Sequence, residues 1–233
     1  MFSFSDLEQI AKAIQYTNVR PDLTRDGLIR HVEECAELNV HAAMVAPCWV
    51  ELAREILSGT GVRVATTLNF PQANDTIEMK ASLVPYLRKA GADEFDFPPN
   101  PALLLSGLER EYEQEIRVVT SVAHDNGMVV KAMLEFGFLP TAQLRRRAVE
   151  LACSAGIDWV KQSSGWGAGG IAATVEDVLL MRETITAPTQ IKVSGKVNTR
   201  QKMEELFRAG ATLVGTSSAP AILAGREGDP NDY

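Results

Sequence analysis

The strongest constraint in this chain is a recurring pattern of form. A helical segment closes on a glycine and a short apolar strand starts at once: RKAG-ADEFDF, CSAG-IDWVKQ and FRAG-ATLVGT are the clearest cases. Gly91, Gly156 and Gly210 stand where the residue after a helix needs positive φ, which glycine adopts without steric cost. HDNG-MVVKAML and LSGTG-VRVATTL repeat the idea. Apolar runs between such stops predict strands at 12–18, 41–46, 62–69, 92–98, 128–135, 158–163, 190–194 and 212–216. Helical patterns fill the intervals. TRDGLIRHVEECAEL puts Leu28, Val32, Cys35 and Leu38 at helical spacing, Thr174 stands three residues before Asp177 in a near capping box, and Thr199 opens TRQKMEELFRAG.

Strict alternation of strand and helix implies parallel strands joined by helical crossovers. Eight such units in 233 residues is the size of a (β/α)8 TIM barrel. An open doubly wound sheet would carry a glycine-rich turn after its first strand, and no GxGxxG is found there. The chain is therefore read as α/β, a single (β/α)8 domain over 1–233 with 226–233 as a loose tail.

The net charge of −7 without a basic block argues against nucleic acid as a partner, although a few local cations can still hold an anionic substrate. Cys35, Cys48 and Cys153 are odd in number and far apart, which suggests neither a disulfide framework nor a zinc site. They read as reduced residues of a cytoplasmic protein. MFSFSDLEQIAKAIQ has no basic start followed by an apolar run, and no stretch approaches the roughly 18 apolar residues of a membrane span.

In a TIM barrel, chemistry sits at the C-terminal ends of the strands, so ionisable residues inside apolar strands are the informative ones. Lys161 lies in DWVKQSSG, Lys192 in QIKVSGK, and Glu94 and Asp96 share one face of ADEFDFPPN. Such lysines either snorkel to the rim and pair with carboxylates, or do chemistry. Only a neutral amine attacks a carbonyl, and a free lysine, with pKa about 10.4, is almost wholly protonated at neutral pH. A second ammonium about 4 Å away would disfavour protonation by roughly 4 kcal/mol at an effective dielectric of about 20. That is a known route to a nucleophilic lysine. Asp96 could then move protons through water.

At these residues the chain resembles deoxyribose-phosphate aldolase, a class I aldolase family. VKQSSGWGAGGIAATVEDVLLMRE resembles its strand-six motif, IKVSGKVNT its strand-seven motif and GADEFDFPPNPALLLSG its strand-four motif. GTSSAPAIL, KAMLEFGFL and TTLNFPQAN resemble strands eight, five and three. The resemblance implies reversible cleavage of 2-deoxy-D-ribose 5-phosphate to D-glyceraldehyde 3-phosphate and acetaldehyde, with no metal and no organic cofactor. It implies Lys161 as the Schiff-base lysine, Asp96 as the catalytic acid and Lys192 as the electrostatic partner. It also implies a substrate and phosphate site at Ser164, Gly165, Gly195, Lys196, Gly215, Ser217 and Ser218. Some family members use a terminal tyrosine as a proton relay, which nominates Tyr233; a disordered tail is the competing reading. Homo-oligomers are usual in the family.

The departures from the family cluster around the pocket. Gln15-Tyr16-Thr17 stands for the usual Asp-His-Thr, Met44 for a cysteine, Ala46 for an asparagine, Gln162 and Phe136 for threonines, and Gly195-Lys196-Val197-Asn198 for Gly-Gly-Ile-Arg. The last change removes a glycine and an arginine from the anion site, while Lys196 adds a charge. The expectation is a small-molecule aldolase with an altered acceptor aldehyde and weaker phosphate dependence. A catalytically silent sugar-phosphate-binding barrel and a phosphate-binding isomerase or synthase are the competing classes. His31 and His124 are expected on the surface and His41 on the barrel face away from catalysis. Trp166 suits either the pocket wall or loop contacts.

Overall fold

The computed structural model describes residues 2–186 and 188–228. The chain runs α1 (Leu7–Ala11), β1 (Ile14–Asn18), α2 (Arg25–Glu37), β2 (Ala42–Val45), α3 (Val50–Ile56), β3 (Arg63–Thr67), α4 (Ile77–Ala90) and β4 (Glu94–Phe97). It continues with α5 (Pro101–Leu105), α6 (Glu109–Asp125), β5 (Val129–Met133), α7 (Ala142–Ser154), β6 (Trp159–Lys161), α8 (Val175–Thr184), β7 (Gln190–Ser194), α9 (Arg200–Ala209), β8 (Leu213–Thr216) and α10 (Ala219–Ala224). Each strand pairs in parallel with the next and β8 closes on β1, giving the (β/α)8 barrel that strict alternation predicts. Every predicted strand contains one observed strand.

Local chemistry sets the element ends. Gly91 follows α4 at φ +108° and Gly210 follows α9 at φ +134°. Thr174 Oγ1 accepts from the Asp177 amide at 3.0 Å and donates to the Asp177 carboxylate at 2.8 Å, and Thr199 Oγ1 accepts from the Lys202 amide at 3.1 Å. Such caps contribute about 1 kcal/mol each.

Alternation along the strands separates two environments. Phe95, Phe97, Val130, Ala132, Val160, Ile191 and Val193 join the apolar layer between barrel and helices. Their neighbours face the barrel interior, where Ala42, Met44 and Ala65 form a small apolar cluster. Gln15, Glu94, Asp96, Lys131, Lys161 and Lys192 are buried there too. A barrel of this type is usually filled by layers of branched apolar side chains, so a charged interior marks where to look for function.

The helix layer holds a buried ion pair of its own. Lys80 on α4 meets Glu115 on α6 and also donates to the carbonyls of Ala73 at 2.6 Å and Pro98 at 3.3 Å. The Asn100 amide donates to Glu115 at 3.1 Å. The pair thereby fastens the loops after β3 and β4 to the helices.

His31 corrects the surface expectation. It is buried on α2, sharing a face with Leu28 and Cys35, and meets the Tyr16 ring edge-on with centroids 4.5 Å apart. Burial lowers its pKa to about 4. His124 is exposed, as expected, and faces Asp158 at 3.0 Å.

Candidate active site

Strand register brings the expected catalytic residues together. Lys161 and Lys192 are partners across β6 and β7, and Asp96 and Lys131 are partners across β4 and β5. Asp96 Oδ2 accepts from Lys161 Nζ at 3.2 Å and from Lys192 Nζ at 2.5 Å, so the two amines lie within one carboxylate's reach of each other. Asp96 Oδ1 has no hydrogen-bond donor among the described residues. It faces Lys131 Nζ at 3.8 Å. A buried carboxylate with one oxygen between two amines and the other uncommitted is suited to passing protons.

Below this centre lies a second tier. Lys131 Nζ faces Glu94 Oε2 across 2.9 Å without an aligned hydrogen bond. Glu94 also accepts from Gln15 Nε2 at 2.5 Å and meets His41 Nε2 at 3.1 Å. His41 thus stands on the face away from catalysis, as expected. Lys192 Nζ in turn donates to Gln15 Oε1. Lys131 was missed at the sequence level, although VVKAML carries the same signal as the other two lysines: an ammonium in an apolar strand.

The charges shift one another. Burial alone would raise the Asp96 carboxyl, but Lys192, Lys161 and Lys131 outweigh it and hold the pKa below the ordinary value. Glu94 is lowered in the same way by Lys131 and His41 against its burial. Lys192 is pushed down to about 7, first by burial and then by Lys161 and Lys131, with Asp96 opposing. This revises the expected electrostatics. Loss of solvent, more than the facing ammonium, brings Lys192 toward neutrality, and Asp96 acts against both.

The turn after Lys161 is fixed by Glu135, which follows β5 at φ +47°. Its carboxylate accepts from the Ser164 amide at 3.1 and 3.2 Å and from Ser163 Oγ at 3.1 Å. Gln162 Nε2 donates to the Ser194 carbonyl at 2.6 Å, tying β6 to β7 beside the lysines. Sequence reasoning passed over Glu135, a carboxylate at the end of the predicted strand 128–135.

Lys161, Lys192, Asp96, Met133, Phe70 and Ser164 line a deep pocket of about 10 Å³, roughly the space of one water. Thr17 and Val19 are shared between it and an outer cleft of about 800 Å³, whose walls include Tyr16, Trp166 and Ser217. Among the described residues, no cluster of histidine, cysteine, aspartate or glutamate could hold a metal.

No family model matches the chain. Against individual proteins it is 38% identical over 222 residues to the deoxyribose-phosphate aldolase of Geobacillus sp. (strain WCH70), covering 95% of this chain and 98% of that one. The chain belongs to the deoxyribose-phosphate aldolase family. A solved structure from Coccidioides immitis that carries the same family name superposes with a TM-score of 0.88 at 28% identity, covering 94% of this chain and 86% of the other. The tetrameric deoxyribose phosphate aldolase of Aeropyrum pernix gives 0.84 at 24% identity, covering 94% and 92%.

Within this aldolase the expected phosphate residues scatter. Ser164 lines the deep pocket and Ser217 the outer cleft. The amides of Ser164 and Gly165 are taken within the protein, Ser164 N by Glu135 and Gly165 N by Ser163 Oγ at 3.1 Å. Gly195 is glycine because a Cβ there would collide with the Ile171 carbonyl and press on Gly165 Cα at 3.3 Å. Gly215 sits in β8, where a Cβ would meet Ser194 Oγ and come within 3.1 Å of Lys192 Cε. It makes room for the second amine. Lys196 is exposed at φ +55°, and the buried Ser218 takes its amide to Thr216 Oγ1 at 3.0 Å. Tyr233 lies outside the described residues.

Proposed function

We propose that this aldolase reversibly cleaves 2-deoxy-D-ribose 5-phosphate, or a less phosphorylated relative, into an acceptor aldehyde and acetaldehyde through a Schiff base on Lys161. The observation that carries the proposal is Asp96 Oδ2 shared by two buried amines at the pocket, with Oδ1 left for a substrate proton. Neutral Lys161 adds to the substrate carbonyl, and loss of water from the carbinolamine gives the iminium. Removal of the C3 hydroxyl proton breaks the C2–C3 bond, and its electron pair passes to the iminium to form an enamine. Asp96, through water, takes and returns the protons; protonation at C2 and hydrolysis release acetaldehyde. Lys192, buried and sharing Asp96 with Lys161, makes the proton release a property of the pair. No cofactor is required, since the imine is the electron sink.

Borohydride reduction in the presence of acetaldehyde, followed by peptide mass mapping, tests the assignment. An ethyl adduct on Lys161 is expected; an adduct on Lys192, or none, would falsify it.

The anion site supports weaker phosphate dependence, because the amides of Ser164 and Gly165 are taken within the protein and Lys196 replaces a glycine. The outer cleft has room for the acceptor's tail. Comparison of kcat/KM for deoxyribose and its 5-phosphate tests this, and a phosphate preference as strong as that of the Geobacillus enzyme would count against it.

A single barrel unit spanning 1–233 carries the whole reaction in this reading, and the chain works as a homo-oligomer. Met79, Leu83 and Tyr86 expose an apolar stripe on α4, with Leu105 and Leu108 also exposed. Free Cys35, Cys48 and Cys153 suit a reducing cytoplasm.

A further inference from the structure

Gln15 is buried in the barrel interior and joins two ionised groups with opposite demands. Its Oε1 accepts from Lys192 Nζ and its Nε2 donates to Glu94 Oε1 at 2.5 Å. Only a side chain with an acceptor at one position and a donor at the next can satisfy an ammonium and a carboxylate at once. The groups facing Lys192 are Asp96 and, through Gln15, Glu94 on β4, Lys131 on β5 and Lys161 on β6. His41 and the half-exposed Arg63, at 3.9 Å, meet Glu94 from the far side. From β8 the neighbour is Gly215, which carries no charge. Around Lys192 itself three lysines therefore meet two carboxylates, since Glu135, the further carboxylate that acts on Lys161, is committed to Ser163 and Ser164; the amide at residue 15 adds a contact without adding a charge. A buried cluster with one ammonium too many is relieved by releasing a proton.

We propose that Gln15 is a positioning residue that sets the pH at which the Lys161–Lys192 pair gives up its first proton, and so the pH at which the Schiff base can form. It orients the Lys192 amine toward Asp96 without adding a negative charge beside it. The proposal rests on the aldolase reading above. The proton leaves through Asp96, which contacts both amines, so the release belongs to the pair. The pKa of about 7 for Lys192 agrees with a release near neutrality.

The test is the rate of borohydride trapping of acetaldehyde on Lys161 as a function of pH, in the full-length wild type, Gln15→Met and Gln15→Asp. Methionine keeps the volume but removes the acceptor that stabilises the Lys192 ammonium, so the midpoint should move to lower pH. Aspartate supplies a negative charge on a stem too short to span both partners, so the midpoint should move up. A rise of about one unit would leave about one pair in eleven deprotonated at pH 7 in place of one in two, and slow trapping about fivefold there. Opposite shifts in the two variants support the proposal. An unmoved midpoint, or an equal loss of rate at every pH, overturns it, because a purely structural role lowers the rate without moving the profile. Should one variant fail to fold, the direction of shift in the other decides. Absence of any Lys161 adduct in the wild type overturns the aldolase reading and this inference together, whereas a wild-type adduct with unmoved midpoints removes the inference alone.

Discussion

Lys80 and Lys192 are both wholly buried, one in the helix layer and one inside the barrel. Lys80 meets one carboxylate, Glu115, and two backbone carbonyls, so its three donors are matched and the arrangement is closed. Lys192 shares Asp96 with Lys161 and takes its other contact from a neutral amide, beside a pocket. Burial lowers both amines, yet only the second stands where a lost proton can be used. The difference teaches that a buried lysine is not by itself a sign of chemistry. A shortage of carboxylate next to a cavity is.

The sharpest way to break this contrast is Lys161→Met. Turnover should fall about 10⁴-fold or more, as for the loss of a covalent nucleophile. The urea midpoint should hold or rise, because an excess charge leaves the interior; a large drop in stability would make Lys161 a structural partner like Lys80. Next comes Asp96→Asn, which removes the proton carrier and should cost roughly 10²- to 10⁴-fold in kcat. If steady-state kinetics show only a raised KM, Asp96 serves binding.

On the structural side, Lys80→Met strands a buried Glu115 and should destabilise the fold by about 3–5 kcal/mol in urea titration. Adding Glu115→Leu should restore most of that loss, since a matched pair can be replaced by apolar side chains of similar volume. A double variant no more stable than the single one would mean that the loop contacts, and not the matching, carry the effect.

The smallest effect is a slope. Lys192 titrates near 7 when folded and near 10.4 when unfolded. Between those values the unfolded chain holds a proton that the folded one lacks, so stability rises with pH by about 1.4 kcal/mol per unit from this group. Below about 7 both states are protonated and the contribution is flat. Denaturant titrations at pH 7.5 and 9.5 should therefore show a smaller rise in Lys192→Met than in the wild type, and equal rises would place the proton release elsewhere.

Much of this was legible in the chain. Glycine stops and apolar runs place all eight strands because both are local consequences of backbone geometry. Lys161, Lys192 and Asp96 stand out because a charge in an apolar strand is costly wherever the strand folds. Lys131 carries the same mark, but its link to Glu94 and Asp96 is made by strand register, which joins residues distant in sequence. His31 was misplaced, although its spacing from Leu28 and Cys35 already puts it on their face. The roles of Gly195 and Gly215 were not legible, since what a missing Cβ makes room for comes from strands and loops distant in sequence.

The contact of Gly195 with Ile171 and Gly165 has a mechanical consequence. The loops that follow the two lysine-bearing strands meet backbone to backbone, with no side chain between them to act as a bearing. Neither can swing without the other, so the spacing of the two amines behaves as a fixed dimension of the barrel while the wider mouth exchanges product for substrate. On heating, reactivity should then disappear together with the barrel itself, with no cooler interval in which an intact shell encloses a slack centre.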